Sequence, residues 1–169
     1  MEYITTESRN VISRKSRISG SKFIVLQGYA LVDHNVIVRG DRSQDGKPII
    51  SLGKWCILQE NVKIEPPKRQ TKYFPLKIAS CVYIGRNTTV SSAQIGSYVI
   101  IGDNCEIGEF SVIKDCVVIP PHTKIPKFAV VSSFTGPKGD LPESAREVID
   151  RFCKQVQAGI DVEIPFLDE

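Results

Sequence analysis

Histidine, the side chain most suited to acid–base and metal chemistry near neutral pH, is rare in this chain. The sequence contains two histidines, His34 and His122. A zinc site built from three histidines therefore cannot form within a single copy of the chain. His34 precedes Asn35, and His122 lies between Pro121 and Thr123, so both have neighbours typical of turns. The repeat spacing implies no neighbouring carboxylate for either histidine. We interpret both histidines as exposed residues at turns rather than as catalytic bases.

The strands and turns that contain the two histidines are predicted from a six-residue repeat. Large aliphatic residues recur at every sixth position: Ile95, Ile101, Ile107, Ile113, Ile119, Ile125 and Val131. Small or β-branched residues follow four positions after each of the first six: Val99, Cys105, Ser111, Val117, Thr123 and Ala129. Because side chains alternate across a strand, the small residue and the next aliphatic residue both point inward. The period predicts a parallel β-helix in which three segments close one triangular coil.

The repeat also assigns roles to glycines and cysteines. Gly96, Gly102 and Gly108 follow the first three aliphatic positions, where the chain turns a corner, and we expect them to supply a permissive φ angle. Cys56 and Cys105 fall on inward small positions, where cysteine usually acts as a small hydrophobic residue. Five cysteines without a C-x-x-C pair predict buried, reduced thiols in a cytosolic protein, and not a disulfide or metal framework.

The same register continues upstream with two insertions and one shortened step, of five residues, from Val90 to Ile95. The aliphatic positions there are Leu26, Val32, Val38, Leu52, Leu58, Ile64, Ile78, Ile84 and Val90. The steps from Val38 to Leu52 and from Ile64 to Ile78 are each fourteen residues, one repeat plus eight. We therefore predict two insertions, near 41–49 and 66–75, that leave the coil at one corner on successive turns. Residues 1–20 show no repeat that can be placed.

One outer face of the predicted prism is apolar from end to end. Its column of outward side chains is Leu31, Ile57, Tyr83, Ile100 and Val118. A soluble monomer does not normally leave so long an apolar surface bare. We therefore predict that the face is covered, and we take these five residues as candidates for partner binding.

A helix is predicted near the C-terminus, with Pro142 in its first turn and Gly159 just past its end at Ala158. Its apolar stripe is Val148, Ile149, Phe152 and Val156. Such a stripe has to be buried, so we predict that the helix lies against a face of the prism. The chain then divides into a β-helix, residues 1–140, and a helix and tail, residues 141–169, that pack on it.

Length and charge limit the classes of function. A chain of 169 residues is large enough for one domain with a continuous core. The formal net charge of +3 gives no reason to predict binding to nucleic acid or to a membrane. We expect no signal peptide, lipid anchor or transmembrane segment, because the sequence shows no signal-peptide pattern, no lipidation motif and no apolar run of transmembrane length.

Several segments resemble the γ-carbonic anhydrase branch of the left-handed β-helix proteins: residues 36–41, 58–61, 84–85 and 95–96. That resemblance implies a zinc ion held by three histidines, normally shared between subunits of a trimer. The matching positions here are Glu65, Arg86 and Ser91. None is histidine, and an arginine beside the metal would repel Zn²⁺. We predict no metal, no cofactor and no catalytic residue, and keep a divergent hexapeptide-repeat acyltransferase or metal-dependent hydrase as the alternative.

Nearly the full length of the chain resembles the dynactin subunit 5 family. The resemblance is carried by residues 2–4, 39–41, 66–76, 93–99, 112–116 and 139–143. It implies a left-handed coil, although general topology rules favour right-handed crossovers. It also implies a non-catalytic subunit of the pointed-end complex of dynactin, the cofactor of the dynein motor.

The resemblance further implies partners and a location. The partners are dynactin subunit 6 (a sister β-helix), dynactin subunit 4, the pointed-end actin-related protein, and dynein adaptors or endosomal cargo, without nucleic acid or membrane insertion. The location is the cytoplasm and the microtubule cytoskeleton, with endosomes and kinetochores reached together with dynactin.

The second insertion supplies candidate contact residues: Lys68, Arg69, Lys72, Tyr73 and Phe74. Aromatic and arginine side chains at such a corner are typical of interfaces. The basic charge favours an acidic partner. The alternative interpretation is a solvated tether with no binding role.

Overall fold

The computed structural model describes residues 2–132 and 144–167, which form six stacked coils and a helix. A short strand, β1 (Tyr3–Thr5), precedes the coils. The strands of the first three coils are β2 (Val11–Ser13), β3 (Arg17–Ser19), β4 (Ile24–Leu26), β5 (Leu31–Val32), β6 (Ile37–Arg39), β7 (Ile50–Leu52), β8 (Ile57–Leu58), β9 (Lys63–Ile64), β10 (Lys68–Arg69), β11 (Lys72–Tyr73) and β12 (Leu76–Ile78). Of these, β10 and β11 form a hairpin outside the coil. Single turns of 3-10 helix lie at Ser21–Phe23 and Gly40–Arg42.

The last three coils are followed by helix α1 (Ala145–Gln157). Their strands are β13 (Val82–Ile84), β14 (Thr89–Val90), β15 (Gln94–Ile95), β16 (Val99–Ile101), β17 (Glu106–Ile107), β18 (Val112–Ile113), β19 (Val118–Ile119), β20 (Lys124–Ile125) and β21 (Val130–Val131).

Corresponding strands of successive coils stack in parallel into three sheets. Sheet A contains β2, β5, β8, β13, β16 and β19, with β1 added antiparallel at its edge. Sheet B contains β3, β6, β9, β14, β17 and β20, and sheet C contains β4, β7, β12, β15, β18 and β21. The predicted fold class, a single-stranded left-handed parallel β-helix with a C-terminal helix, is confirmed.

The aliphatic positions keep the predicted register. In sheet C, Leu52 pairs with Leu26 on one side and with Ile78 on the other. The inward side chains form one continuous core, and burying each such leucine or isoleucine stabilises the fold by about 1.5–3 kcal/mol. Cys56 and Cys105 lie in this core, 0% and 2% exposed, as predicted.

The predicted role of the corner glycines is wrong. Gly96, Gly102 and Gly108 do not have a positive φ, and the left-handed conformation falls two residues later, as at Asn104 with φ 57°. The glycines are required by the close approach of successive coils. A Cβ atom at Gly102 would lie 2.6 Å from the backbone nitrogen of Pro121 in the next coil. Side chains at these positions would therefore push the coils apart.

The corner between sheets A and B is lined by asparagines. From the second coil to the last, its left-handed positions are filled by Asn35, Asn61, Asn87, Asn104 and His122. Asparagine tolerates this conformation better than most non-glycine residues. Asn61 Nδ2 also donates a hydrogen bond to Asn87 Oδ1 at 3.0 Å, which links two coils.

The repeat begins one coil earlier than the sequence indicates. Ile12 pairs with Val32, and Ile18 pairs with Val38, so both isoleucines occupy inward positions of a first coil. The step from Ile18 to Leu26 is eight residues because the turn at Ser21–Phe23 enlarges this corner. That enlargement hides the six-residue period in the sequence.

Helix α1 ends where the sequence predicts. Gly159 has φ 86°, and its N–H donates to the Val156 carbonyl at 3.0 Å. The N–H of Ile160 donates to the Gln155 carbonyl at 2.9 Å, which completes a Schellman motif. The predicted start at Pro142 lies outside the described residues.

Helix α1 lies against sheet A and covers its apolar outer face. Ile149, Phe152 and Cys153 are buried there, and the Phe152 ring centroid lies 5.1 Å from that of Tyr83. The tail adds Val162, Ile164, Phe166 and Leu167 to the same cluster. The outward column that the sequence offered as a partner-binding surface packs in this cluster: Leu31, Ile57, Tyr83, Ile100 and Val118. That interpretation is therefore corrected, since the chain's own helix and tail bury the column.

Candidate functional site

The three positions that match zinc ligands do not converge. Because β9 pairs with β14, Glu65 lies next to Ser91 at the corner between sheets B and C, whereas Arg86 follows β13 at another corner. Glu65 is already paired with two cations, Oε1 at 3.4 Å from Arg42 Nη2 and Oε2 at 3.2 Å from Lys63 Nζ. These cations oppose the binding of Zn²⁺. Within residues 2–132 and 144–167, no group of three or more His, Cys, Asp or Glu side chains could hold a metal ion.

The environment of His34 differs from the prediction. Its side chain is only 20% exposed, because β1 folds back and stacks Tyr3 on it with 5.2 Å between the ring centroids. Its Nδ1 is hydrogen-bonded to Ser13 Oγ, and its Nε2 lies 3.7 Å from Glu2 Oε2. Tyr3 also donates a hydrogen bond to Asp33 Oδ1 at 2.8 Å. The expectation of an exposed histidine without a nearby carboxylate is therefore wrong.

A serine, a histidine and a carboxylate are thus adjacent, but their geometry does not suit catalysis. Ser13 is 2% exposed, and its Oγ accepts a second hydrogen bond from the Lys15 N–H at 3.1 Å. A serine nucleophile has to reach the substrate, and this one is covered. The cluster instead holds β1 over the first coil. His122 is exposed at its corner, as expected.

The buried thiols are poor nucleophiles. Burial raises the pKa of Cys56 and of Cys81 to about 12, and it shifts the pKa of Cys153 in the same direction. The thiolate is the reactive form, so these groups stay inert near neutral pH. Cys116 is partly exposed and accepts a hydrogen bond from Arg146 Nε at 3.3 Å, which ties the start of α1 to the β-helix.

The two insertions leave the coil at the corner between sheets B and C and contact each other. Gln44 of the first insertion donates from Nε2 to the Thr71 carbonyl at 2.9 Å and accepts at Oε1 from the Tyr73 N–H at 3.1 Å. The Lys68 N–H donates to Glu109 Oε2 at 3.1 Å, which fixes the hairpin to a later coil. These bonds hold the second insertion in place and disfavour a loose tether.

The two aromatic residues of the hairpin have different surroundings. Tyr73 packs partly against the core, with Arg42 Cζ and Lys68 Nζ at 5.3 and 5.4 Å from its ring centroid. Phe74 lies beside Lys72, whose Nζ is 5.1 Å from its ring centroid. Tyr73 therefore supports the hairpin from the inside, and Phe74 is the better candidate for contact with a partner.

Phe74 begins a row of rings that is not evident from the sequence. Phe110 lies 5.4 Å from Phe74 in an edge-to-face arrangement, and Phe128 stacks on Phe110 at 5.4 Å. Phe128 is 64% exposed. We call Phe74, Phe110 and Phe128 the aromatic edge. The signal that could have found it is the spacing of Phe110 and Phe128, eighteen residues or one full coil.

Two surface grooves lie beside α1 and the tail. One, of about 810 Å³, is lined by Asp103, Pro121, Asp161, Val162, Glu163, Ile164 and Leu167. The other, of about 690 Å³, lies between Tyr98 and α1. Neither is lined by His34, His122 or Glu65, so these grooves do not combine with those side chains into a reaction site.

The chain matches a known family over most of its length. The family profile of dynactin subunit 5 matches residues 1–159, which include all six coils and α1. The chain belongs to the dynactin subunit 5 family. The dynactin subunit 5 of Dictyostelium discoideum is 35% identical over 100 residues, which cover 57% of this chain and 48% of that relative. The chain therefore spans about half the length of that Dictyostelium protein.

Among solved structures, one that resembles the chain has a much lower sequence identity to it. A hexapeptide transferase family protein from Anaplasma phagocytophilum is 14% identical, with 88% of this chain and 89% of that chain covered and a TM-score of 0.46. A likeness at that level supports no statement about function. In the described parts of the chain, no helix is both long enough and apolar enough to cross a bilayer.

Proposed function

We propose that the chain is a non-catalytic structural and interaction subunit of the dynactin pointed-end complex. Membership of the dynactin subunit 5 family supports a place in dynactin. The enclosed serine, histidine and thiol groups argue against the alternative of a divergent hexapeptide-repeat enzyme.

In this role the chain supports dynein-driven transport along microtubules and the attachment of adaptors or endosomal cargo. Its neighbours are dynactin subunit 6, dynactin subunit 4 and the pointed-end actin-related protein. It acts in the cytoplasm with the microtubule cytoskeleton, and it reaches endosomes and kinetochores as part of dynactin.

The aromatic edge is the observation that carries the partner-binding part of this proposal. Its rings follow one another along a corner of the β-helix, and the last ring is mostly exposed. The hairpin that presents Phe74 is hydrogen-bonded to the first insertion and to a later coil. Little ordering is therefore needed when a partner binds, and preorganised aromatic groups are frequent hot spots.

The charge around the aromatic edge indicates the chemistry of that partner. Lys68, Arg69 and Lys72 are exposed on the hairpin. Cations beside aromatic rings suit a segment that carries both acidic and apolar side chains. Charge complementarity of this kind acts mainly on the association rate and on the choice of partner.

The test compares three variants with the parent chain in a reconstituted pointed-end complex. Truncating a hot-spot aromatic costs about 1–2 kcal/mol or more, so Phe74→Ala with Phe128→Ala should weaken adaptor binding at least about tenfold. Ile160→Ala, which truncates an apolar side chain 52% exposed elsewhere, is the matched control and should change nothing. Lys68→Glu, Arg69→Glu and Lys72→Glu together should slow association most at low salt.

Circular dichroism and incorporation into the complex are the folding controls for these variants. Variants that fold, assemble and bind the adaptor like the parent would refute the aromatic edge as a contact. A parent chain that does not enter the complex at all would refute the subunit role itself.

A further inference from the structure

The start of the β-helix carries the net charge of the whole chain. Residues 1–24 contain five Lys or Arg and two Glu, an excess of three, which equals the formal net charge of +3. The cations are Arg9, Arg14, Lys15, Arg17 and Lys22, and all are exposed. They lie at the three corners of the first coil and on β3. Among the residues that the structure describes, no ion pair involves any of them.

These cations surround an incompletely covered core. The inward residues of the first coil, Ile12, Ile18 and Leu26, are only partly buried, whereas their counterparts in the second coil are 1–2% exposed. Ile4 and Val25, on strands of the same end, are 44% and 40% exposed. An apolar centre within a charged rim is the usual layout of a protein-binding surface.

Backbone groups are also available at this end. Strand β3 is the edge of sheet B, and β4 is the edge of sheet C, within the described residues. Arg17 donates its N–H to the Val36 carbonyl of the second coil. Alternate residues of a parallel strand direct their N–H and C=O groups to opposite neighbours, so those of Ile18 point out of the end of the β-helix. An edge of this kind is a template for one more strand.

We propose that an extended acidic segment of a partner protein binds here and adds a strand to β3. Its inward apolar residues continue the column that begins at Ile18. Its outward acidic residues lie beside Arg17, because neighbouring strands place side chains on the same face next to each other. One of its ends approaches Arg14 and Lys15, which lie at the corner before β3. This surface is separate from the aromatic edge, and the inference does not depend on the proposed function.

Other occupants fit the same surface less well. A second copy of the chain would bring the same cations against each other. A lipid surface would bury the N–H and C=O of Ile18 without partners, which is costly. The part of the tail that the structure describes is occupied elsewhere, since Leu167 lines a groove with Asp103 and Pro121, about four strand spacings or roughly 19 Å from β2.

The experiment uses the full chain and two synthetic ten-residue peptides, one alternating valine with glutamate and one alternating valine with lysine. Hydrogen exchange of the Ile18 amide is measured by NMR. At ten times its dissociation constant, the glutamate peptide should slow this exchange about tenfold, and the lysine peptide should leave it unchanged. Equal protection by both peptides, or protection by neither, would overturn the proposal.

Charge variants complete the test. Arg14→Glu, Lys15→Glu and Arg17→Glu together should weaken binding of the glutamate peptide at least about tenfold. Lys47→Glu, Lys77→Glu and Lys114→Glu change the charge equally at exposed positions elsewhere and should leave binding intact.

The same loss in both triple variants would overturn the proposal. A second result would also overturn it: anionic vesicles or duplex DNA bind in a way that depends on Arg14, Lys15 and Arg17, and the glutamate peptide does not bind. If the first triple variant does not fold, the corresponding glutamine variant replaces it, with the same expected weakening.

Discussion

Replacing Phe152 with alanine tests whether helix α1 is part of the folded core. The ring is 4% exposed and lies against Tyr83. Removing a buried phenyl ring costs about 3–5 kcal/mol, from lost transfer free energy and from the cavity left behind. Because domains are stable by only about 5–15 kcal/mol, that loss would be easily measured. Arg151→Ala, next to it but exposed, is the matched control and should change stability by less than about 0.5 kcal/mol.

The assay is urea denaturation followed with two probes. Trp55, the single tryptophan, packs in the cluster under α1 and has Lys154 Nζ 5.5 Å from its ring centroid, so its fluorescence reports docking of the helix. Circular dichroism reports the strands. Phe152→Ala should lower the fluorescence midpoint, and the circular dichroism midpoint should fall with it if helix and coils unfold together. Unchanged midpoints by both probes would refute the packing of α1 on sheet A.

Three further predictions concern the coils, the buried tyrosine and metal binding. Gly102→Ala should lower the free energy of unfolding by about 1–3 kcal/mol, because its Cβ would meet the backbone of Pro121, and a change below about 0.5 kcal/mol in chemical denaturation would contradict that close approach. Burial raises the pKa of Tyr83 from 10.0 to about 12, so the stability linked to its protonated form is complete below the unfolded pKa and is lost as the pH rises toward the folded pKa. As the pH is raised between these two pKa values, the thermal midpoint should fall less in Tyr83→Phe than in the parent. Equal falls in both proteins would contradict the raised pKa of Tyr83. Elemental analysis of chain purified without chelator should give far less than one zinc per chain, whereas stoichiometric zinc with carbon dioxide hydration would exclude a non-catalytic role.

The body of the β-helix is predictable because its core depends on a local, repeated pattern. The inward residues from Leu26 onward recur at six residues or at six plus an insertion, except for one step of five from Val90 to Ile95, and the strands pair in that register. The first coil escapes detection because the turn before β4 lengthens one step to eight residues. The corner glycines are found by position but misinterpreted, since their role depends on the coil above them, at Pro121 for example.

The candidate site is predictable only in the features that depend on residues close together in the sequence. The basic and aromatic composition of the hairpin is visible in the sequence, but the contact of Phe74 with Phe110 joins residues 36 positions apart. The enclosure of His34 requires β1 to fold back on β2, a pairing for which the sequence has no repeat. The outward column is recognised as a surface to be covered, yet only the position of α1 shows what covers it.

The most direct test of the proposed subunit role is whether the chain is a stoichiometric member of dynactin. The chain is tagged at its genomic locus, cell extract is separated by sedimentation, and its amount is quantified in the dynactin fractions. We expect the chain to sediment with dynactin at a fixed molar ratio to subunits 4 and 6. A chain that sediments alone, with those subunits in other fractions, would contradict it.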